Sequence, residues 1–379
     1  MKDIAILTKY YKNYNYGGVL QGYALKRTLE EMGYETDIIS YDVGKNKNPI
    51  YKSVIEQSKQ YEIKSAVNKF FEKLIGKLKF FIKDLLKDRI TRFEEFMKYD
   101  TEEYCDDNLV KLNDNYKVFI SGSDQVWNPN AVRLLFLQSF AEEGKKKISY
   151  AASIGRNKLY KKESDVLVSY LKTFDSLSVR EKTAKSLLQE FIDDEIEVVL
   201  DPTMLIEKEQ WDEITTDFKH DKPYALFYFF SNSAKVRKQA IEFCKRKNIE
   251  LLMIPYANQQ FNINDRKGPG VRLNSIGPRE FVSAIKNAEY VFTDSFHGAA
   301  FSIINEKQFF VFERNKKEHV SMNSRIYDLL DNFDLGNRLL SVDKFCLIDN
   351  LNEIDYNTVN MKKQELKRKS LEFLENSLK

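Results

Sequence analysis

The stretch IAILTKYYKNYNYGGVLQGYALKRTLEEMGYETDIIS, residues 4–40, decides how the chain folds. Ile4-Ala5-Ile6-Leu7-Thr8 is an apolar run of strand length. Asn15-Tyr16-Gly17-Gly18 is a turn-rich loop. A helical pattern then runs from about Val19 to Met32, with Leu20, Tyr23, Ala24 and Leu25 on one side. Gly33 stands where a helix C-cap glycine belongs. Thr36 to Ser40 is the next strand. Strand, helix and strand make a βαβ unit, the building block of a parallel sheet covered on both faces.

The same alternation returns further on. Val118-Phe119-Ile120, Lys147 to Ser153, Ser176 to Arg180 and Val198-Val199-Leu200 read as strands, the last stopped by Asp201-Pro202. Residues 206–222, with Trp211 and many charges, read as a crossover. A second series then starts at Tyr224 to Phe230. It continues through Glu250 to Ile254, a helix opened by Pro278, the strand Tyr290 to Thr293, a helix from Ala299 and the strand Phe309 to Phe312. The expected architecture is two Rossmann-like α/β domains facing a cleft, residues 1–205 and 223–355. A C-terminal helix, 356–379, could pack back on the first domain.

Residues 45–98 depart from this pattern, with fourteen Lys/Arg against seven Asp/Glu. Phe70, Phe71, Leu74, Ile75, Leu78, Phe81, Ile82, Leu85 and Leu86 recur at helical spacing. This predicts a basic amphipathic helical insertion in the first domain, at about 45–100. Two readings stay open for it: lysines solvated on a packed helix, or a face that meets an anionic membrane surface or a lipid-linked glycan.

At 379 residues and 42% hydrophobic content the chain can bury two cores, and 14 Gly and 7 Pro argue against long disordered tracts. A net charge of +3 names no partner. Cys105, Cys244 and Cys346 are odd in number and far apart, so the expectation is reduced thiols rather than a disulfide framework or zinc site. The N-terminus has no signal-peptide pattern, and no run of 18 apolar residues occurs. A cytoplasmic protein is expected, with a peripheral place at the inner face of the membrane as the variant that a membrane-binding insertion would give.

In open parallel sheets, ligands lie beyond the carboxyl ends of the strands. Six polar or glycine-bearing clusters fall there: Asn15 to Gly18, Ser121 to Gln125, Ala152 to Gly155, Arg180-Glu181, Asp201-Pro202 and Asp294 to Gly298. Asn15, Gly17, Gly18 and Gln21 could bring backbone N–H groups and a helix N-terminus to an anion, or simply make a tight turn. Ser123, Asp124, Gln125 and Trp127 combine hydroxyl, acid, amide and indole, the mixture a sugar site uses; the alternative is a capped turn with Trp127 in the core. Ser153 and Ser295 line the same strand ends. His297, beside Asp294, is the candidate acid–base, since imidazole titrates near neutrality. His220 and His319 lie in charged segments and read as solvated. Arg180 and Arg325 offer planar forks for carboxylate or phosphate, or structural ion pairs.

With Asn-Tyr-Gly-Gly-Val-Leu-Gln (Asn15 to Gln21), Gly122 to Pro129, Ser178-Val179-Arg180-Glu181, Asp201-Pro202-Thr203 and Asp294 to Gly298, the chain resembles the polysaccharide pyruvyl transferase family. The resemblance implies a glycosyltransferase-B-like pair of domains and phosphoenolpyruvate as donor, with no cofactor or metal. It implies an acceptor sugar that is nucleotide-, lipid- or polymer-linked, in cell-surface glycan biosynthesis. His297 matches the family's catalytic histidine, with Asp294 expected to orient it. Arg180 matches a position that holds the donor's anionic groups. Many members carry Arg two residues before the histidine, where this chain has Ser295. Arg325 is the expected substitute, ahead of Arg272 and Arg279. The competing classes are a nucleotide-sugar glycosyltransferase and a non-catalytic glycan-binding relative. Nucleic-acid binding is disfavoured, because the basic segment carries no such motif.

Overall fold

The computed structural model describes residues 2–50, 86–231, 234–255, 269–314 and 323–379. Most of the expected helical insertion, and His319, lie outside them. The N-terminal half contains β1 (Lys2–Leu7), α1 (Tyr16–Glu31), β2 (Thr36–Ile38), β3 (Ser40–Tyr41), α2 (Lys87–Met97), β4 (Glu103–Tyr104), β5 (Tyr116–Ser121), β6 (Lys146–Ser149), α3 (Lys161–Leu171), β7 (Leu177–Val179), α4 (Lys182–Gln189) and β8 (Ile196–Val198). Its sheet runs β2-β1-β5-β6, all parallel. β7 continues it: Ser149 N–H donates to Ser176 O at 3.0 Å, and Ala152 bridges Val179. β8 pairs with β7. Strands buried on both faces need apolar residues on both, so Ile4, Ala5, Ile6 and Leu7 are all fully buried.

The second half contains β9 (Tyr224–Tyr228), α5 (Ala234–Lys247), β10 (Glu250–Ile254), β11 (Val271–Arg272), α6 (Pro278–Lys286), β12 (Tyr290–Thr293), α7 (Phe296–Ile304), β13 (Gln308–Phe312), α8 (Ser324–Asn332) and β14 (Leu339–Leu340). The parallel sheet order is β11-β10-β9-β12-β13-β14. Counted within this domain, that is 3-2-1-4-5-6, the Rossmann order. Strand order reverses between β9 and β12 here, and between β1 and β5 in the first domain. These two reversals open a crevice at the strand carboxyl ends in each half. The α9 helix (Tyr356–Leu378) returns to the first domain: Leu200 N–H donates to Ser370 Oγ at 2.9 Å, and Leu374 is fully buried.

Two element ends differ from the sequence reading for identifiable reasons. α7 begins at Phe296 rather than Ala299, because Ser295 caps it by accepting the Gly298 N–H at 3.3 Å. His297 therefore sits in a first helical turn, not on a strand end. α1 begins at Tyr16, because the Asn15 side chain accepts the Gly18 N–H at 3.2 Å.

The domains are locked on one side by aromatic and cationic contacts. Tyr16 stacks on Phe281 with centroids 4.4 Å apart, and its hydroxyl donates to Ile276 O. Arg89, buried on α2, donates to the carbonyls of Asn274, Pro255 and Leu273 at 2.8–2.9 Å. One guanidinium thus satisfies three backbone acceptors of the other domain. Hydrogen bonds from a charged group contribute about 1.5–3 kcal/mol each, and they are not additive, so Arg89→Ala should lower stability by about 3 kcal/mol or more. Chemical denaturation checks this; an unchanged midpoint would remove Arg89 as the clasp.

Candidate functional site

The site is assembled at the strand carboxyl ends of both sheets, where the crevices face each other. Its centre is Asp201, fully buried just past β8. One carboxylate oxygen, Oδ1, accepts from the Thr203 N–H and hydroxyl at 3.0 and 2.7 Å, which caps the short turn Pro202–Met204. The other, Oδ2, accepts from Arg180 Nη1 at 2.7 Å and Ser123 Oγ at 2.8 Å. His297 Nε2 lies 3.6 Å from the same oxygen. That is too long for a hydrogen bond but close enough for an ion pair whenever the imidazole carries a second proton. Burial opposes ionisation of Asp201, yet His297 and Arg180 hold its carboxyl far below the usual range.

Arg180 follows β7 and is 4% exposed. Its guanidinium lies 4.2 Å from the centroid of the Phe296 ring, and its Nε is 3.7 Å from Glu181. Glu181 is itself occupied in shaping the β6 loop: Oε1 accepts from Ser153 Oγ and Gly155 N–H. Burial disfavours the Arg180 cation, but Asp201, Glu181 and Asp124 outweigh it and raise its pKa.

His297 reaches this cluster from the other domain. Its ring lies over Gly17 so closely that a Cβ there would sit 1.9 Å from Nδ1. Gly17 is a glycine because the imidazole occupies its side-chain space. Gly298 is one for a similar reason, since its Cβ would fall 2.3 Å from Thr293 Oγ1.

Arg325, in the first turn of α8, is 6% exposed. With its amide oxygen facing the guanidinium, Gln125 accepts from Nη1 and Nη2 at 3.1 and 3.3 Å. Burial, with Arg180 and Arg314 nearby, pushes Arg325 down to about 10. Asp124 is held in a left-handed conformation at φ 69°. Burial disfavours its charge, but Lys9, Arg180, His297 and Arg325 together keep its carboxyl below the usual value. Those four cations and potential cations come from both domains, so Arg180, His297 and Arg325 share one electrostatic neighbourhood.

Five buried polar atoms in the cluster have no hydrogen-bond partner among the described residues: Arg180 Nε and Nη2, Arg325 Nε, His297 Nε2 and Glu181 Oε2, although Arg180 Nε and Glu181 Oε2 face each other as an ion pair at 3.7 Å. Each unmet group costs about 1–3 kcal/mol. Three guanidinium N–H donors without acceptors fit a site shaped for an anion.

Several expected residues have other tasks. Trp127 is fully buried, donates to Phe136 O at 3.2 Å and packs edge-on against Phe174. It belongs to the core and does not offer a face to a sugar. The Asp294 carboxylate accepts the N–H groups of Phe230 and Ser231 at 2.7 and 2.8 Å, pinning β9 to β12 across their crevice. No hydrogen bond joins it to His297 among the described residues; Asp201 faces the imidazole instead. Gln21 donates to Thr8 Oγ1 and Gly18 O and braces the β1–α1 turn. Asn15 and Ser295 act as the helix caps already described, and Gly18 gives way to Asn13, whose Nδ2 a Cβ would approach to 2.3 Å. Arg279 donates to Ile214 O and lies against Phe96, while Arg272 Nη1 donates to Gly270 O. His220 pairs with Glu250 at 2.8 Å rather than standing solvated.

Two site residues have no assigned role in the sequence reading. Asp201 falls in one of the polar strand-end clusters and in a family motif, but nothing in the sequence sets it beside His297. Lys9 was passed over in the loop after β1, yet its Nζ donates to Gln125 O at 2.6 Å. A cation directly after an apolar run was the available signal, the same one that marks Arg180. Among the described residues, no group of three or more metal-ligating side chains is present, and no helix is long and apolar enough to cross a membrane.

A family model described as polysaccharide pyruvyl transferase matches residues 15–316. No curated protein matches the chain. Among solved structures, a glycosyltransferase from Rickettsia africae ESF-5 is 11% identical, with all of each chain covered and a TM-score of 0.52. A UDP-GlcNAc 2-epimerase from Methanocaldococcus jannaschii is 12% identical, with 93% of this chain and 92% of that chain covered and a TM-score of 0.51. At such identity these neighbours show the glycosyltransferase-B-type fold alone.

Two substitutions test the geometry. Gly17→Ala should displace His297, at an overpacking cost of about 1–3 kcal/mol; a crystal structure with an unmoved ring would refute the close packing. Folding favours ionised Asp201, so its contribution is complete above the unfolded carboxylate value, about 4, and drains away as pH falls through and below it. Asp201→Asn should therefore be less stable at neutral pH and lose less stability between about pH 5 and pH 3 than the parent. Parallel acid profiles would contradict the depressed carboxyl.

Proposed function

Because the chain belongs to the polysaccharide pyruvyl transferase family, we propose that it transfers pyruvate from phosphoenolpyruvate to a sugar, closing a ketal across two hydroxyls. The observation that carries this reading is the set of guanidinium donors on Arg180 and Arg325 that lack hydrogen-bond acceptors among the described residues, in the same electrostatic neighbourhood of Asp124 as His297. Phosphoenolpyruvate puts a carboxylate and a phosphate on one three-carbon frame. A site for it must offset dense negative charge, and two partly unsatisfied guanidiniums do so.

In this mechanism a proton passes to the methylene carbon of the donor, which becomes the methyl group and leaves C2 electron-poor. One sugar hydroxyl adds to C2 and loses its proton. The C2–O bond to phosphate then breaks with its electron pair on the departing phosphate. A second hydroxyl adds to C2, loses its proton and closes the ring. Of the two hydroxyl protons, one balances the methyl group and the other leaves with hydrogen phosphate. His297 is the group assigned to proton transfer, positioned by the Asp201 carboxylate and by its packing on Gly17. Arg180 and Arg325 stabilise the charge that gathers on the carboxylate and leaving phosphate.

Ser295 leaves the position two residues before His297 without an arginine, and Arg325 supplies a guanidinium from α8 instead. The acceptor is a glycan precursor on the cytoplasmic side, carried on a nucleotide, a lipid or a polymer. General acid–base groups typically contribute ~10²–10⁴-fold. With phosphate release from phosphoenolpyruvate in the presence of a sugar acceptor as the assay, His297→Ala should lose about a hundredfold or more while unfolding at the parent's temperature. Turnover at the parent rate would remove His297 from the mechanism. Thermal stabilisation by nucleotide sugars and not by phosphoenolpyruvate would favour the glycosyltransferase reading.

A further inference from the structure

The charges around the cleft are not equally available to a ligand. Arg180 is already matched by Asp201 at 2.7 Å, with Glu181 at 3.7 Å. Arg314 sits 3.7 Å from the Asp294 carboxylate and donates to Asp294 O at 2.9 Å. Among the described residues, the Arg325 guanidinium hydrogen-bonds only with the neutral Gln125 amide. Lys9, half-buried at the carboxyl end of β1, likewise has no carboxylate within ion-pair distance among the described residues. Its ammonium donates to the main-chain oxygen of Gln125 at 2.6 Å. Gln125 is therefore held from two sides: its backbone by Lys9 of the first domain, its side chain by Arg325 of the second. Gly155 is shaped to this arrangement, as a Cβ there would lie 2.6 Å from the Gln125 side-chain amide.

Resting on the phosphoenolpyruvate reading above, we propose that Lys9 is a donor-binding residue that works with Arg325 across Gln125, gripping one acidic group of the donor only in its ammonium form. The cleft cations with no carboxylate within ion-pair distance, rather than the already paired Arg180, then carry most of the charge attraction. Arg180 keeps a directional role through Nε and Nη2.

The surroundings explain why protonation matters. The charged groups facing Lys9 are Asp124, which favours the ammonium, and Arg133, Arg325 and Arg180, which disfavour it. Burial is the largest influence, and together they push Lys9 down to about 8. The sign follows directly. Below that value the ammonium is present and can bind an anion; above it the neutral amine cannot. A bound anion would in turn raise the lysine's pKa, so proton and donor bind with mutual reinforcement.

Titration calorimetry of phosphoenolpyruvate into the full-length protein tests this, at pH 7 and pH 9, for the parent, Lys9→Arg and Lys9→Met. One pH unit above its pKa a group is about nine-tenths deprotonated, so the parent's Kd should rise about tenfold relative to Lys9→Arg, whose guanidinium stays charged. Lys9→Met should bind at both pH values about as weakly as the parent at pH 9. Melting temperatures report whether each variant folds; if Lys9→Arg does not, the parent and Lys9→Met comparison decides alone. Parent binding with the same pH dependence as Lys9→Met overturns the Lys9 role and leaves the donor reading standing. No phosphoenolpyruvate binding by the parent at either pH overturns the donor reading, and the Lys9 role with it.

Discussion

A buried carboxylate that must stay ionised organises this molecule's centre. Asp201 lies out of water, where an isolated charge would be prohibitively costly. It persists as an anion because Arg180 and Ser123 donate to one oxygen, the Thr203 turn donates to the other, and His297 leans in from the facing domain. Those partners come from the ends of three strands and one helix. The requirement to neutralise one charge therefore fixes where β5, β7 and β8 end and where the second domain's imidazole can rest.

The remaining arrangement serves this junction. The two sheets reverse strand order at β1/β5 and at β9/β12, and each reversal faces the other. Asp294 closes the second crevice by binding two backbone amides. Gly17 removes a side chain so that the imidazole can come within contact of the α1 N-terminus. Arg89 and Tyr16 hold the domains together away from the chemistry. Rigid support is thus placed at the clasp, while the cleft keeps donors that the described residues leave unsatisfied. Such groups are tolerated where a ligand completes them.

Much of the fold was legible because parallel strands covered on both faces must be apolar throughout, as Ile4 to Leu7 and Tyr224 to Tyr228 are. Glycine and asparagine at the strand ends marked the turns. The site was legible where a residue type has few structural uses in its setting, as with His297 between a strand and a glycine. It was not legible where a polar side chain could serve backbone or ligand equally well. Trp127 needed only one carbonyl, Phe136 O, to become core. Asp294 looked like the natural partner of His297 because it is three residues away, but its oxygens are committed to β9. Asp201, 96 positions from His297 along the chain, has no sequence signal for that pairing, which exists only once the domains face each other. Lys9 was masked by the many other lysines of a basic chain.

The glycosyltransferase-B-type architecture accommodates several chemistries, so the fold does not choose among them. The choice rests on a small, doubly acidic compound fitting between Arg180, Arg325 and His297. A crystal structure of the protein grown with phosphoenolpyruvate tests this most directly. The account predicts the compound at the domain junction, with acidic oxygens in hydrogen-bonding reach of Arg180 Nη2 or Nε and Arg325 Nε, and its methylene carbon turned towards His297. Phosphoenolpyruvate bound elsewhere, or an empty junction at saturating concentration, would contradict it.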